Sequence, residues 1–133
     1  MNRSDGWGIA RLRESGVPVV VLSTEINPVV AARCQKLGIE YAQGLAEKSE
    51  ALAQLALRLG IDLKYVAYVG NDVNDLTCLR MVGLPVAVRD AHPRVLQTAK
   101  LVLTCDGGHG AVREMCDLIL EHRKNSIGEQ QRG

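Results

Sequence analysis

The sequence predicts an α/β fold, a parallel sheet with helices on both faces. Short runs rich in Val and Leu alternate with stretches of helical apolar spacing, the pattern of βαβ units. The run after Pro18, VVVLS, is continuously apolar rather than alternating, as in a strand covered on both sides. Gly, Asn and Pro mark nearly every junction.

The elements follow in order. Gly6–Gly16 has helical spacing around Ile9 and Leu12 and stops at Gly16. A strand from Pro18 ends at Ser23-Thr24-Glu25. Asn27-Pro28 opens a helix to Leu37, with Pro28 in its first turn and Gly38 closing it. Ile39–Ala42 is a short strand, and Glu47–Leu59 a long helix closed by Gly60. Val66–Val69 is a buried strand, Gly70 a turn, and Val73–Val82 a helix. Leu84–Val88 is a strand, and His92-Pro93 starts a helix to Ala99. A last strand spans Leu101–Thr104, a glycine-rich turn Cys105–Gly110, and a helix Ala111–His122. One domain over 1–123 with a frayed polar tail over 124–133 is the expected organisation.

Bulk composition excludes several classes. A chain of 133 residues, 47% hydrophobic and 23% charged, is globular rather than disordered. The net charge of +1 provides no field for nucleic acid. No apolar run has the length of a membrane span, and the amino terminus is not a signal sequence. Cys34, Cys78, Cys105 and Cys116 are widely spaced with no CxxC, which reads as reduced thiols in a cytoplasmic protein.

Chemistry concentrates at GNDVND, Gly70–Asp75. Asn71, Asp72, Asn74 and Asp75 follow a buried strand, where open α/β sheets place ligands. Asp72 and Asn74 also suit helix caps and turns. Ser23 and Thr24 fit either a phosphate contact or a hydroxyl-capped turn. Lys48 begins a helix, where the macrodipole disfavours a cation; it is either a functional charge or a solvated surface lysine. Gly107–Gly110, His92 and His109 read as loop or turn residues.

In this order, SDGWGI at Ser4–Ile9, VVLSTE at Val20–Glu25, EKSEAL at Glu47–Leu52, YVGNDVNDL at Tyr68–Leu76 and GGHGAVREMCDLIL at Gly107–Leu120 resemble the haloacid dehalogenase-like phosphatases. Within them the chain is similar to the capless branch acting on 3-deoxy-manno-octulosonate 8-phosphate and keto-deoxynononate 9-phosphate. That domain also occurs at the carboxy terminus of some acylneuraminate cytidylyltransferases. The resemblance runs from Asn2 to about Leu120.

It implies a Rossmann-like fold and Mg²⁺-dependent phosphomonoester hydrolysis. Ser23 would match the phosphate-binding hydroxyl and Lys48 the charge-balancing lysine. Asn71, Asp72 and Asp75 would match the metal motif. Asn2, Asp5, Gly6, Thr24, Glu25 and Arg33 would contact the sugar. Glu25 stands where the octulosonate enzymes carry arginine and the nononate enzymes glutamate, which tilts the substrate toward a sialic-acid type. A homotetramer, or a cytidylyltransferase as partner or fusion, is implied with it.

Two departures accompany the resemblance. Asn71 replaces the aspartate that opens the metal motif, so metal affinity should fall. The family's Asp-x-Asp-Gly nucleophile motif occurs nowhere in the sequence. The expectation is a domain lacking the family's first central strand, from a truncated reading frame or a nucleophile-free relative, and inactive as it stands. The strands ending at Ser23 and Gly70 would then pair directly, or accept another segment between them, or the chain would fold poorly alone.

Overall fold

A computed structural model describes residues 3–132, with side chains described for residues 4–123, so Asn2 lies outside the described residues. Strands and helices alternate as α1 (Arg3–Glu14), β1 (Val20–Leu22), α2 (Pro28–Leu37), β2 (Glu40–Ala42), α3 (Lys48–Leu59), β3 (Ala67–Gly70), α4 (Leu76–Met81), β4 (Leu84–Ala87), α5 (Pro93–Thr98), β5 (Leu101–Val102) and α6 (Ala111–Arg132). Every strand pairing is parallel. The α/β class with helices on both faces is therefore the observed one. Val86 and Ala87, neighbours on β4 that point to opposite faces, are both completely buried.

Local chemistry accounts for the boundaries. Asn27 caps α2, its side chain accepting the N–H groups of Val29 and Val30, and Pro28 opens the helix. Gly38 and Gly60 end α2 and α3 in the left-handed conformation, φ 70° and 67°. The helix expected over Val73–Val82 is split: a 3₁₀ turn, Val73–Asp75, precedes α4. The tighter turn follows from Asp75, whose side chain reaches back to the backbone of Asp72. Helix α6 continues to Arg132, beyond the expected end at His122.

The expected single sheet is two ladders. β1 pairs with β2, and β3, β4 and β5 form a second sheet in that order. Among the described residues β1 and β3 neither pair with each other nor share a partner strand. The residues of β1 are accordingly half-buried, not covered on both faces as the apolar run predicts.

Side chains join the ladders instead. Leu22 of β1 and Tyr68 of β3 pack on a small cluster of Leu52, Cys78 and Val82. A larger core under β4 includes Leu79, Val86, Val95, Leu103 and Met115. A third gathers Ile9, Leu12, Cys34, Ile39 and Cys116 between α1, α2 and α6. No helix among the described residues is long and apolar enough to cross a membrane.

Candidate functional site

A cavity of about 350 Å³ opens at the carboxyl ends of β1 and β3. Ser23, Thr24 and Glu25 line it from the end of β1, Lys48 from α3, and Asn71, Asp72, Asn74 and Asp75 from the turn after β3. This is the sheet edge where open α/β folds place ligands. The cavity lies between β1 and β3, which do not pair with each other, so the gap between the ladders and the site are one feature.

The β1 tip is fixed by backbone bonds. Ser23 N–H donates to the Ala42 carbonyl at 2.9 Å, and its own carbonyl accepts from Leu45 N–H at 3.1 Å. Ser23 Oγ accepts the Glu25 N–H at 3.1 Å, the turn-forming role that competes with phosphate binding. A hydroxyl holding that bond keeps its proton to donate to an oxyanion.

Lys48 is the first residue of α3 and is 7% exposed, too buried for the solvated surface lysine that was the alternative. Its Nζ lies 2.5 Å from Asp75 Oδ1 and 3.4 Å from Asn74 Oδ1. Asp75 collects four donors. Lys48 and the Tyr68 hydroxyl, at 2.7 Å, share Oδ1; the N–H groups of Asn71 and Asp72, at 2.9 and 3.2 Å, share Oδ2. Burial opposes the charge on Asp75, but these donors outweigh it and hold the carboxyl below its usual range. Burial, and then the Asp75 carboxylate, push the Tyr68 hydroxyl far upward, so it remains a donor.

Gly70 makes this packing possible. A Cβ there would lie 2.8 Å from Asp75 Cβ and 3.2 Å from its Oδ2. Asp72 caps the turn, its Oδ1 accepting the Val73 N–H at 2.7 Å. Asn74 spans the cavity, with Nδ2 at 3.5 Å from Thr24 Oγ1. Sequence reasoning assigns Tyr68 no role and reads Asn74 as one of the polar residues after the strand, suited to a cap or turn. A tyrosine in an aliphatic strand of a chain with three Tyr and no Phe was the available signal for the first.

Not every expected residue converges here. Asp5 is 1% exposed, and its Oδ1 accepts the Arg113 N–H at 3.0 Å near the start of α6. Gly6 packs against Leu37 and the Arg33 guanidinium. None of the three lines the cavity. The Gly107–Gly110 loop is held by Asp90, which accepts the Gly107 N–H, and by Asp106, whose carbonyl accepts from His109. His92 is an exposed cap whose Nδ1 accepts from Arg94 N–H.

For a divalent cation the cavity offers the Asn71 carboxamide and the Asp72 carboxylate, both exposed. All donors are oxygen, the kind Mg²⁺ takes in small number while keeping several waters. No cluster of three or more His, Cys, Asp or Glu suited to a metal occurs among the described residues. The oxygens of Asn71 and Asp72 are thus of the kind that suits Mg²⁺, with one carboxylate between them.

The sequence signature of haloacid dehalogenase-like hydrolases matches residues 22–115. The chain belongs to this family. It is 42% identical over 120 residues to the 3-deoxy-D-manno-octulosonate 8-phosphate phosphatase KdsC of Escherichia coli K12, covering 90% of this chain and 64% of that protein. It thus spans just under two thirds of the length of the curated relatives it matches. Among solved haloacid dehalogenase-like structures, the Moraxella catarrhalis octulosonate 8-phosphate phosphatase, in complex with magnesium, phosphate and KDO, is 33% identical with a TM-score of 0.87. That match covers 97% of this chain and 75% of the other. The cobalt-bound Haemophilus influenzae phosphatase is 37% identical with a TM-score of 0.86, covering 90% and 70%.

Proposed function

We propose that this haloacid dehalogenase-like domain holds the phosphate and metal side of a phosphomonoesterase site for a phosphorylated keto sugar acid. One observation carries the reading: Ser23, Lys48, Asn71 and Asp72, from three separate segments, line a single cavity at the strand ends. Phosphoryl transfer needs positioned cations and in-line geometry more than covalent help. Lys48 would balance charge on the phosphoryl oxygens and the Ser23 hydroxyl would donate to one of them. Asn71 and Asp72 would hold Mg²⁺, which when bound neutralises developing charge on the transferring group.

The matched relatives are phosphatases of an eight-carbon sugar acid, and the substrate class follows them. Glu25 on the cavity wall favours a nine-carbon, sialic-acid-type member. A carboxylate there accepts hydroxyl or amide donors and repels the sugar's own carboxylate, so that group would point elsewhere. The four free thiols support a reducing, cytoplasmic setting. A homotetramer remains part of the proposal.

These 133 residues contain no Asp-x-Asp, and we infer that they release no phosphate by themselves. The gap between β1 and β3 supports the reading that a nucleophile-bearing strand belongs there. The test extends the chain at its amino terminus by an apolar strand ending in Asp-x-Asp-Gly. With Mg²⁺, the extended protein should hydrolyse octulosonate 8-phosphate or nononate 9-phosphate, and the unextended chain neither. A folded extension that hydrolyses neither ester overturns the proposal. Asn71 at the metal motif favours a second reading, a non-catalytic assembly module beside a cytidylyltransferase, which that negative result would support.

A further inference from the structure

Asp75 belongs to the acidic run, yet its oxygens are already engaged. An ionised carboxylate has about four lone-pair sites, and Asp75 meets Lys48 Nζ, Tyr68 Oη and the N–H groups of Asn71 and Asp72. To ligate a cation it would have to release either the lysine or the turn. We propose that Tyr68 and Asp75 form a positioning pair that holds the Lys48 ammonium at the cavity wall, leaving Asn71 and Asp72 as the donors open to a metal. The proposal rests on the phosphatase reading above for its purpose, though not for its geometry.

The need for such a pair follows from lysine itself. Its ammonium is a point charge on a flexible four-carbon stem, with three N–H donors and no geometric preference of its own. Asp75 takes one donor at 2.5 Å and Asn74 a second at 3.4 Å. The third is left for an oxyanion in the cavity. Asp75 is itself oriented from two sides. The backbone N–H pair grips Oδ2, and the Tyr68 hydroxyl grips Oδ1 beside the lysine.

Tyr68 is anchored where β1 and β3 are bridged. Tyr68 packs against the Leu52, Cys78 and Val82 cluster, as Leu22 of β1 does, so the core that joins the two strands also anchors the residue that holds Asp75 beside Lys48. Tyr68 and Asp75 are positioning residues here: they act through the lysine.

Acylation of lysine amines by an N-hydroxysuccinimide ester, followed residue by residue by mass spectrometry on the full chain, reads this directly. In the unmodified chain Lys48 should react far more slowly than exposed Lys36 and Lys64. Tyr68→Phe removes one hydroxyl and should raise the Lys48 rate about fivefold, and Asp75→Asn about tenfold, with Lys36 and Lys64 unchanged. Asp75→Glu should restore part of the protection. Titrations should show orthophosphate binding weakened at least fivefold in both variants and Mn²⁺ binding changed less than twofold. An unchanged Lys48 rate in both variants overturns the proposal. So does loss of Mn²⁺ binding in Asp75→Asn with Lys48 still protected, or an equal rise at all lysines in Tyr68→Phe. If Lys48 protection depends on Tyr68 and Asp75 but the unmodified chain binds no phosphate, the positioning stands and the phosphatase reading falls.

Discussion

Lys48 and Asp75, 27 residues apart in sequence, meet at 2.5 Å with side chains 8% and 4% exposed. The contact ties the first turn of α3 to the turn after β3 across the gap between the sheets. Removing one partner of a buried pair leaves an uncompensated charge, at a cost of roughly 3–5 kcal/mol. Asp75→Ala should therefore lower unfolding free energy by about 3 kcal/mol in urea denaturation. The double variant Lys48→Met/Asp75→Leu should recover most of that loss. Additive losses would contradict the coupling.

Gly70 is required by Asp75, not by its own backbone. A Cβ at Gly70 would intrude to 2.8 Å from Asp75 Cβ, and Asp75 is held by its bonds from Lys48, Tyr68 and the N–H groups of Asn71 and Asp72. Gly70→Ala should cost about 1–3 kcal/mol, the usual scale of overpacking. It should also raise the acylation rate of Lys48. A neutral Gly70→Ala by thermal melting would show that Asp75 can move aside.

Asn71 lines the cavity with a carboxamide where an acidic residue would add a charge. Asn71→Asp should tighten Mg²⁺ or Mn²⁺ binding about tenfold in a direct titration, since divalent affinity rises with ligand charge. The backbone N–H that Asn71 gives to Asp75 is unaffected by the change. Equal affinity in both proteins would remove Asn71 from the metal site.

Glu114 sets an acid limit away from the cavity. Desolvation opposes its charge, but the N–H groups of Thr104 and Cys105 and the Thr104 hydroxyl prevail and hold it below its ordinary 4.5. A carboxyl lowered in the folded state stabilises fully above its unfolded value. That contribution disappears as the pH falls through the folded value. Urea midpoints should thus drop more between pH 6 and pH 3 for the natural chain than for Glu114→Gln. Identical pH dependence would show that these bonds do not favour the ionised form.

Much of this was legible beforehand because it is local. Asn27-Pro28 and Gly38 bracket α2 by capping chemistry alone. Lys48 stood out as a cation at a helix start, and the Gly70–Asp75 run as polar groups after a buried strand. The division of labour inside that run was not legible. Whether Asp75 faces a metal or a lysine depends on contacts far away in sequence. Tyr68 hid because tyrosine is an ordinary strand former. Alternation announced parallel strands but could not say which edges meet, so one sheet was expected where two ladders stand. The polar stretch after His122 lacks apolar spacing, and the continuation of α6 through it left no periodic signal.

The central claim is that separate strand tips form one oxyanion cradle around Lys48. Titrating the chain with orthophosphate while following backbone amide resonances tests it. The account predicts saturable shifts at Ser23, Thr24, Lys48 and Asn71, lost in a folded Lys48→Met variant. Shifts confined to other surfaces, or binding undiminished by Lys48→Met, would contradict it.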